Sequence, residues 1–346
     1  MIDVLPISFL VGCLLIFIEK LRNKYGIINL RKSIQTIHTK SVSRFGGLGI
    51  LLSLAIVSFF SDEPGYSFLR NTLLCISPIF LLGMMDDLSL EIKPILRLLI
   101  VFPTAFLSYY FLNTQAYSLD IPFVDHLFNY KLFSIFFICF AISGMVNAFN
   151  MIDGINGLVL LLSLTICVTV VLSTYSFVSD ELNFFFVALL FSILGIFILN
   201  FPFGRIFLGD GGAYLLGAAL SIGLIRIYQE NNLSPWYVLT MLIYPFTDFM
   251  SSLIRRVILK TSALNADNKH FHHLIIARLK KTSIKSDSTL HFLTTIIIFC
   301  LYLPFLLGAN YFAKSTSILM LLCVLFIFIY FLMYLLMAPK DFSKKS

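Results

Sequence analysis

Eleven separate runs of apolar residues constrain this chain more than any other feature. A helix needs about 20 apolar residues to cross the hydrocarbon core of a bilayer. Runs near that length lie at 4–20, 45–60, 68–85, 94–113, 132–150, 157–177, 183–200, 212–228, 236–254, 289–309 and 316–337. With 59% hydrophobic residues, 12% charged ones and a mean hydropathy of +0.93 over 346 residues, a water-soluble globular domain is excluded. What remains is an all-α membrane protein of eleven transmembrane helices, forming one integral membrane domain over 1–346 with no separate soluble part. The first run has no basic segment before it and is expected to be a retained helix rather than a cleaved signal. Cys13, Cys75, Cys139, Cys167, Cys300 and Cys323 all fall inside expected spans without CxxC spacing. They read as small apolar residues, not as disulfides or metal ligands.

Lys and Arg set the orientation, because cytoplasmic loops collect them. An amino terminus on the periplasmic side puts the basic residues of Lys20 to Arg44, Lys93, Arg97, Arg205, the run from Arg255 to Lys285 and the tail Lys340, Lys344, Lys345 in the cytoplasm. Only Arg70, Lys131, Arg226 and Lys314 are then left outside. Eleven spans place the carboxyl terminus in the cytoplasm as well. The net charge of +7 calls for no nucleic-acid partner, since anionic lipid and phosphate ligands on that face account for it.

Against this background the charges that lie at span ends need a reason. Asp210 stands between Gly209, Gly211 and Gly212 just before the run at 212–228. From the residues alone it is either the N-cap of the next helix or part of a metal or phosphate site. Asp86 and Asp87 are adjacent acids at the end of the third run, where they repel each other unless a cation is near. Asn147 and Asn150 share a helix face at the end of the fifth run, with Asp153 a turn further on, followed by Gly154, Asn156 and Gly157. Lys40 and Arg44 precede Phe45-Gly46-Gly47; they are positive-inside residues, and Arg44 is also suited to a phosphate. Asp248 is expected to pair with Arg255, seven residues on. His270, His272 and His273 lie close together, but no cysteine or second histidine cluster is present to complete a zinc site. Under the orientation set by Lys and Arg, all these clusters share the cytoplasmic face. A one-sided site of this kind fits an enzyme working at the membrane interface.

Several of these motifs occur in an order that resembles the polyprenyl-phosphate N-acetylhexosamine-1-phosphate transferases, the group of WecA-like and MraY-like enzymes. They are Arg44-Phe-Gly-Gly, Asp86-Asp87, Asn147-Ala-Phe-Asn-Met-Ile-Asp153-Gly, Phe207-Leu-Gly-Asp210 and His270-Phe-His-His. The resemblance runs from about Arg31 to His273, and the histidine spelling is similar to the WecA-like branch. It implies a bacterial inner-membrane enzyme with its cleft on the cytoplasmic face. The implied reaction transfers a sugar 1-phosphate from a UDP-N-acetylhexosamine to undecaprenyl phosphate, giving a diphosphate-linked lipid and UMP. Mg²⁺ is the implied cofactor, with Mn²⁺ as a substitute. By the same resemblance Asp210 looks like the metal ligand, Asn200 and Phe207 like donor-nucleotide contacts, and Asp153 like part of the same cleft. Asp86 and Asp87 look like the acceptor side, with Asp87 favoured as base. Asn147, Asn150, Asn156, Lys40, Arg44 and the three histidines are taken as substrate-binding. Two departures stand out: Asn156 replaces a second Asp of many members, and Ser43 replaces a frequent Pro. The alternatives are the peptidoglycan-precursor transferase and, from another class, a secondary transporter, which would show broken helices and midplane polar groups. The sugar, the polysaccharide pathway (O-antigen or other envelope polymer) and the oligomeric state, a homodimer included, stay open.

Overall fold

In the computed structural model, residues 4–25, 42–60, 65–88, 90, 92, 94–173, 178–259, 269–282, 284 and 286–338 are described. Among them every regular element is helical. The order is α1 (Val4–Tyr25), α2 (Gly46–Phe59), α3 (Tyr66–Asp87), α4 (Pro94–Phe111), the short α5 (Pro122–Asp125), α6 (Lys131–Ile152), α7 (Leu158–Val171), α8 (Asp180–Asn200), α9 (Gly209–Glu230), α10 (Pro235–Met241), α11 (Ile243–Leu259), α12 (Phe271–Leu279), α13 (Asp287–Tyr311) and α14 (Thr316–Met337).

Seven helices, α1, α3, α6, α8, α9, α13 and α14, are long and apolar enough to cross a membrane. The expected straight run at 236–254 is instead a pair, α10 and α11, bent by 79°. Pro245 has no N–H to offer the carbonyl of Met241, four residues back. That carbonyl accepts the hydroxyl of Tyr302, a fully buried residue of α13, so the break does not leave it without a donor. The remaining three expected runs are the shorter apolar helices α2, α4 and α7. With 14 residues each, α2 and α7 reach about 21 Å at the usual rise.

The bundle is built around α9, 94% of whose most apolar stretch is buried, against 22% for α1 and 28% for α14. The outward faces of α1 and α14 present Leu10, Leu14, Phe17, Leu321, Val324 and Phe328, as lipid-facing helices do. Apolar surface has no reason to avoid lipid, so close approach of backbones must hold such helices together. The start of α9 shows how this is done. A Cβ on Gly47 would overlap Gly212 of α9, and one on Gly83 would overlap Gly211. α2 and α3 therefore lie backbone to backbone against the first turn of α9, which brings the start of α2 and the end of α3 to one point.

Candidate active site

That point is where the polar motifs meet. The segment before α2 pairs with the segment before α9: Phe207 N–H donates to Ser43 at 2.8 Å, Gly46 N–H to Phe207 at 2.9 Å and Gly47 N–H to Leu208 at 2.8 Å. Two motifs some 160 residues apart in sequence are thus zipped through their backbones. The zipper sets Arg44 beside Asp210.

Asp210 does not cap α9. The N-cap position is Leu208, with no side-chain hydrogen bond, and the capping carboxylate comes from α3. Asp87 Oδ1 accepts Asp210 N–H at 2.9 Å and Asp87 Oδ2 accepts Gly211 N–H at 3.0 Å. Asp87 is 2% exposed. Two first-turn amides that have no partner within the helix are thereby satisfied by a negative charge at its positive end. Gly209 makes room for this. Its φ is +80°, and a Cβ there would collide with the Arg44 carbonyl and the Asp87 carboxylate.

Relieved of capping, the Asp210 carboxylate faces Asn150 and Arg44. Asn150 Nδ2 donates to its Oδ1 at 3.1 Å, and an Arg44 terminal nitrogen lies 3.5 Å from the same oxygen. Arg44 Nε is 3.6 Å from Asp87 Oδ1, so one guanidinium spans both acids. Partial burial works against the Arg44 charge. The carboxylates of Asp210, Asp87, Asp153 and Asp86 outweigh it and hold the guanidinium above its ordinary value. Asp153 follows the end of α6. Desolvation, then the charges of Asp210 and Asp87, overcome the attraction of Arg44 and push its carboxyl well above the usual carboxylate range.

Asp210 Oδ2 has no hydrogen-bond partner among the described residues. An open carboxylate oxygen whose charge is felt by Asp87 and Asp153 fits a hard divalent cation, which takes one or two carboxylates and completes its shell with phosphate oxygens. Among the described residues no three His, Cys, Asp or Glu side chains converge as a ready-made metal site. A cation at Asp210 would therefore depend on a substrate for its remaining ligands.

The other expected site residues frame this centre. Asn147 Nδ2 donates to Ser143 in its own helix at 2.8 Å. Asn200 ties Gly157 N–H and the Ile206 carbonyl, both at 2.6 Å, and Asn156 Nδ2 donates to Pro202 at 3.4 Å. These two carboxamides hold the loop of residues 201–208 against the turn after Asp153. Phe207 is half-buried at the zipper. Lys40 lies outside the described residues.

His270, His272 and His273 sit at the start of α12, opposite that turn. His272 is fully buried, neither of its ring nitrogens has a hydrogen-bond partner among the described residues, and a Cβ on Gly154 would overlap its Nε2. Burial, followed by the neighbouring His273, pushes His272 well below the usual histidine value despite Asp248, so its ring is neutral. His291 of α13 acts on the same ring; the sequence offered no cue for it, since it lies alone in an apolar run.

Asp248 does not pair with Arg255. Seven residues of helix separate the two by about 10 Å along the axis. Asp248 Oδ2 lies instead 2.7 Å from His270 Nδ1, while Arg255 donates to the Tyr334 hydroxyl at 2.7 Å.

Residues 69–228 match the model of glycosyl transferase family 4, which spans Asp86 to Asp210 but neither Arg44 nor the histidines. The chain is 31% identical to the undecaprenyl-phosphate alpha-N-acetylglucosaminyl 1-phosphate transferase of Thermotoga maritima, covering 70% of this chain and 71% of that protein. It is 26% identical to a probable undecaprenyl-phosphate N-acetylglucosaminyl 1-phosphate transferase of Bacillus subtilis, covering 94% and 89%. It is also 32% identical to the phospho-N-acetylmuramoyl-pentapeptide-transferase of Clostridium perfringens, covering 62% and 72%. The chain belongs to glycosyl transferase family 4, a family of phospho-sugar transferases.

Proposed function

We propose that this protein transfers an N-acetylhexosamine 1-phosphate from a UDP-N-acetylhexosamine, such as UDP-GlcNAc, to undecaprenyl phosphate, as the first membrane step of an envelope polysaccharide such as O-antigen. The observation that carries this reading is Asp210: its carboxylate is freed from capping by Asp87, flanked by Arg44 and Asn150, and set at one end of an apolar bundle. The names of the relatives in Thermotoga and Bacillus support the substrates.

In this reaction an oxygen of the lipid phosphate attacks the β-phosphorus of the donor, the bond from that phosphorus to the bridging oxygen breaks, and UMP leaves. The protein's work is to position two anions and oppose the charge that builds on UMP. Arg44 supplies a planar cation next to the acids, able to hold phosphate through paired N–H donors. Asp210 would hold Mg²⁺, which when bound would neutralise charge on the donor diphosphate. Asn150 fixes which Asp210 oxygen stays open. Asp87 keeps Asp210 in place; each of its oxygens accepts one amide and keeps a second lone pair, so the base role is compatible with anchoring. The histidines oppose charge on the leaving group from the far wall. On this reading the chain crosses the inner membrane eleven times, with α2, α4 and α7 as short spans and α10–α11 as a bent one, and carries its cleft on the cytoplasmic face; the bias of Lys and Arg toward one side supports that orientation.

The bent pair is a feature that the transporter alternative also calls for. Here its acid is used on the histidine helix rather than at a midplane cavity. The test is purified protein with undecaprenyl phosphate and a panel of UDP-sugars, scored for UMP release. Release with UDP-GlcNAc or an epimer supports the proposal. Release with UDP-MurNAc-pentapeptide alone favours the peptidoglycan reaction of the Clostridium relative, and uptake without UMP release favours a transporter.

A further inference from the structure

Outside the family match lie two polar features that no step above uses: Asp248 in the bent pair, and Tyr330 and Tyr334, one turn apart in the otherwise apolar α14. They converge on the start of the histidine helix. Asp248 Oδ1 accepts Phe271 N–H at 2.9 Å and the Tyr330 hydroxyl at 2.8 Å, while its Oδ2 faces His270 Nδ1 at 2.7 Å. The Tyr334 hydroxyl donates to the Lys269 carbonyl at 2.8 Å. Asp248, His270 and Tyr330 are 1%, 6% and 0% exposed.

A helix cap explains only part of this. Capping Phe271 takes one oxygen and no charge, and Asn serves nearly as well as Asp at a cap. Here three groups converge on one carboxylate, and a carboxylate can only accept. The His270 ring proton is therefore on Nδ1. His270 Nε2 has no hydrogen-bond partner among the described residues, so it is the nitrogen left for a ligand. Around the ring stand Asp248 from α11, Tyr330 from α14, and His272 and His273 from α12, with the His272 ring parallel at 5.7 Å.

We infer that Asp248, braced by Tyr330, is a positioning residue that fixes the tautomer and orientation of His270 so that Nε2 meets the donor's diphosphate. This rests on the transferase reading above. With Nδ1–H committed to Asp248, a proton on Nε2 is the one that meets phosphate, as a charge-assisted hydrogen bond. Without the carboxylate the ring is free to take either tautomer.

The test uses full-length protein with ¹⁵N-labelled histidine, His270 being assigned by loss of its signals in His270→Gln. The wild type should show a protonated Nδ1 at His270, and Asp248→Asn should lose that state. Asp248→Asn should also lower kcat for UMP release by roughly 10²–10⁴-fold, as loss of a histidine-orienting carboxylate does elsewhere, while KM for undecaprenyl phosphate stays unchanged and Asp248→Glu restores part of the rate. Tyr330→Phe removes one hydroxyl and keeps the charge, so it provides the readout if Asp248→Asn does not fold; a several-fold fall in kcat is expected. An unaltered His270 nitrogen spectrum in Asp248→Asn, or unchanged kcat and pH profile in both variants, overturns the inference. The nitrogen spectrum needs no substrate, so a wild type with the expected tautomer but no UMP release contradicts the transferase reading and leaves the Asp248–His270 lock standing.

Discussion

Asp87 caps the helix that begins with Asp210, and it does so from a position 123 residues earlier in the chain. Each acid thereby determines what the other can do. Asp87 spends both oxygens on the backbone of α9, so Asp210 is free to present its carboxylate to the cleft.

Asp87→Asn separates anchoring from base catalysis. The carbonyl oxygen of Asn could still accept one amide, but its NH2 would set a donor against the other, so half of this two-oxygen cap and all of its charge are lost. Loss of a cap costs about 1–2 kcal/mol, read as a lower melting temperature, and UMP release falls as Asp210 shifts. A residue acting only as a base would lose activity at unchanged stability. Thermal shift and turnover measured on the same preparation distinguish the two.

Gly209 and Gly211 should differ in sensitivity. Gly209 has a positive φ and faces the Arg44 carbonyl and Asp87, whereas a Cβ on Gly211 would come to 3.2 Å from Met84. Gly209→Ala is expected to cost more than about 1 kcal/mol from the left-handed backbone alone, with the cap lost in addition. Gly211→Ala should be milder. Equal loss of activity in both, with stability unchanged, would show that the glycines serve the approach of phosphate rather than packing.

Asp153 makes stability depend on pH. Its folded-state carboxyl is raised above the ordinary value, so its contribution is fully present below the unfolded pKa and is lost as pH rises through the folded one. Asp153→Asn removes that loss. The variant should melt higher than the wild type in the absence of substrate at alkaline pH, with a flatter profile above the ordinary carboxylate range. Identical profiles would mean that the Asp153 charge is not strained by Asp210 and Asp87.

Local pattern in the sequence exposes what is local in the fold. Apolar runs of helical length locate helices, seven of them long and apolar enough to cross a membrane, and polar residues at the ends of such runs, Arg44, Asp87, Asn150 and Asp210, are ones that the fold brings together. Pairings set by tertiary packing leave no such trace. Nothing near Asp248 points to His270, so the nearest cation on its own helix, Arg255, is the natural but wrong partner. The glycines around Asp210 suggest room for a ligand, whereas Gly209, Gly211 and Gly212 admit Asp87, α3 and α2. The break at Leu242 has a cue in Pro245, but its acceptor, Tyr302, comes from α13. The tyrosine pair in α14 is visible as polarity in an apolar helix, though not what it holds.

UMP release by folded Asp210→Asn protein, with undecaprenyl phosphate and the UDP-sugar that the wild type uses, tests the central claim most directly. Asn keeps the size of the side chain and one carbonyl oxygen, and because Asp210 does not cap α9, the melting temperature should hold. The account predicts a fall of about 10³-fold or more in turnover, the scale expected when a charge that organises phosphoryl transfer is removed. Wild-type turnover with an unchanged Mg²⁺ requirement would contradict it.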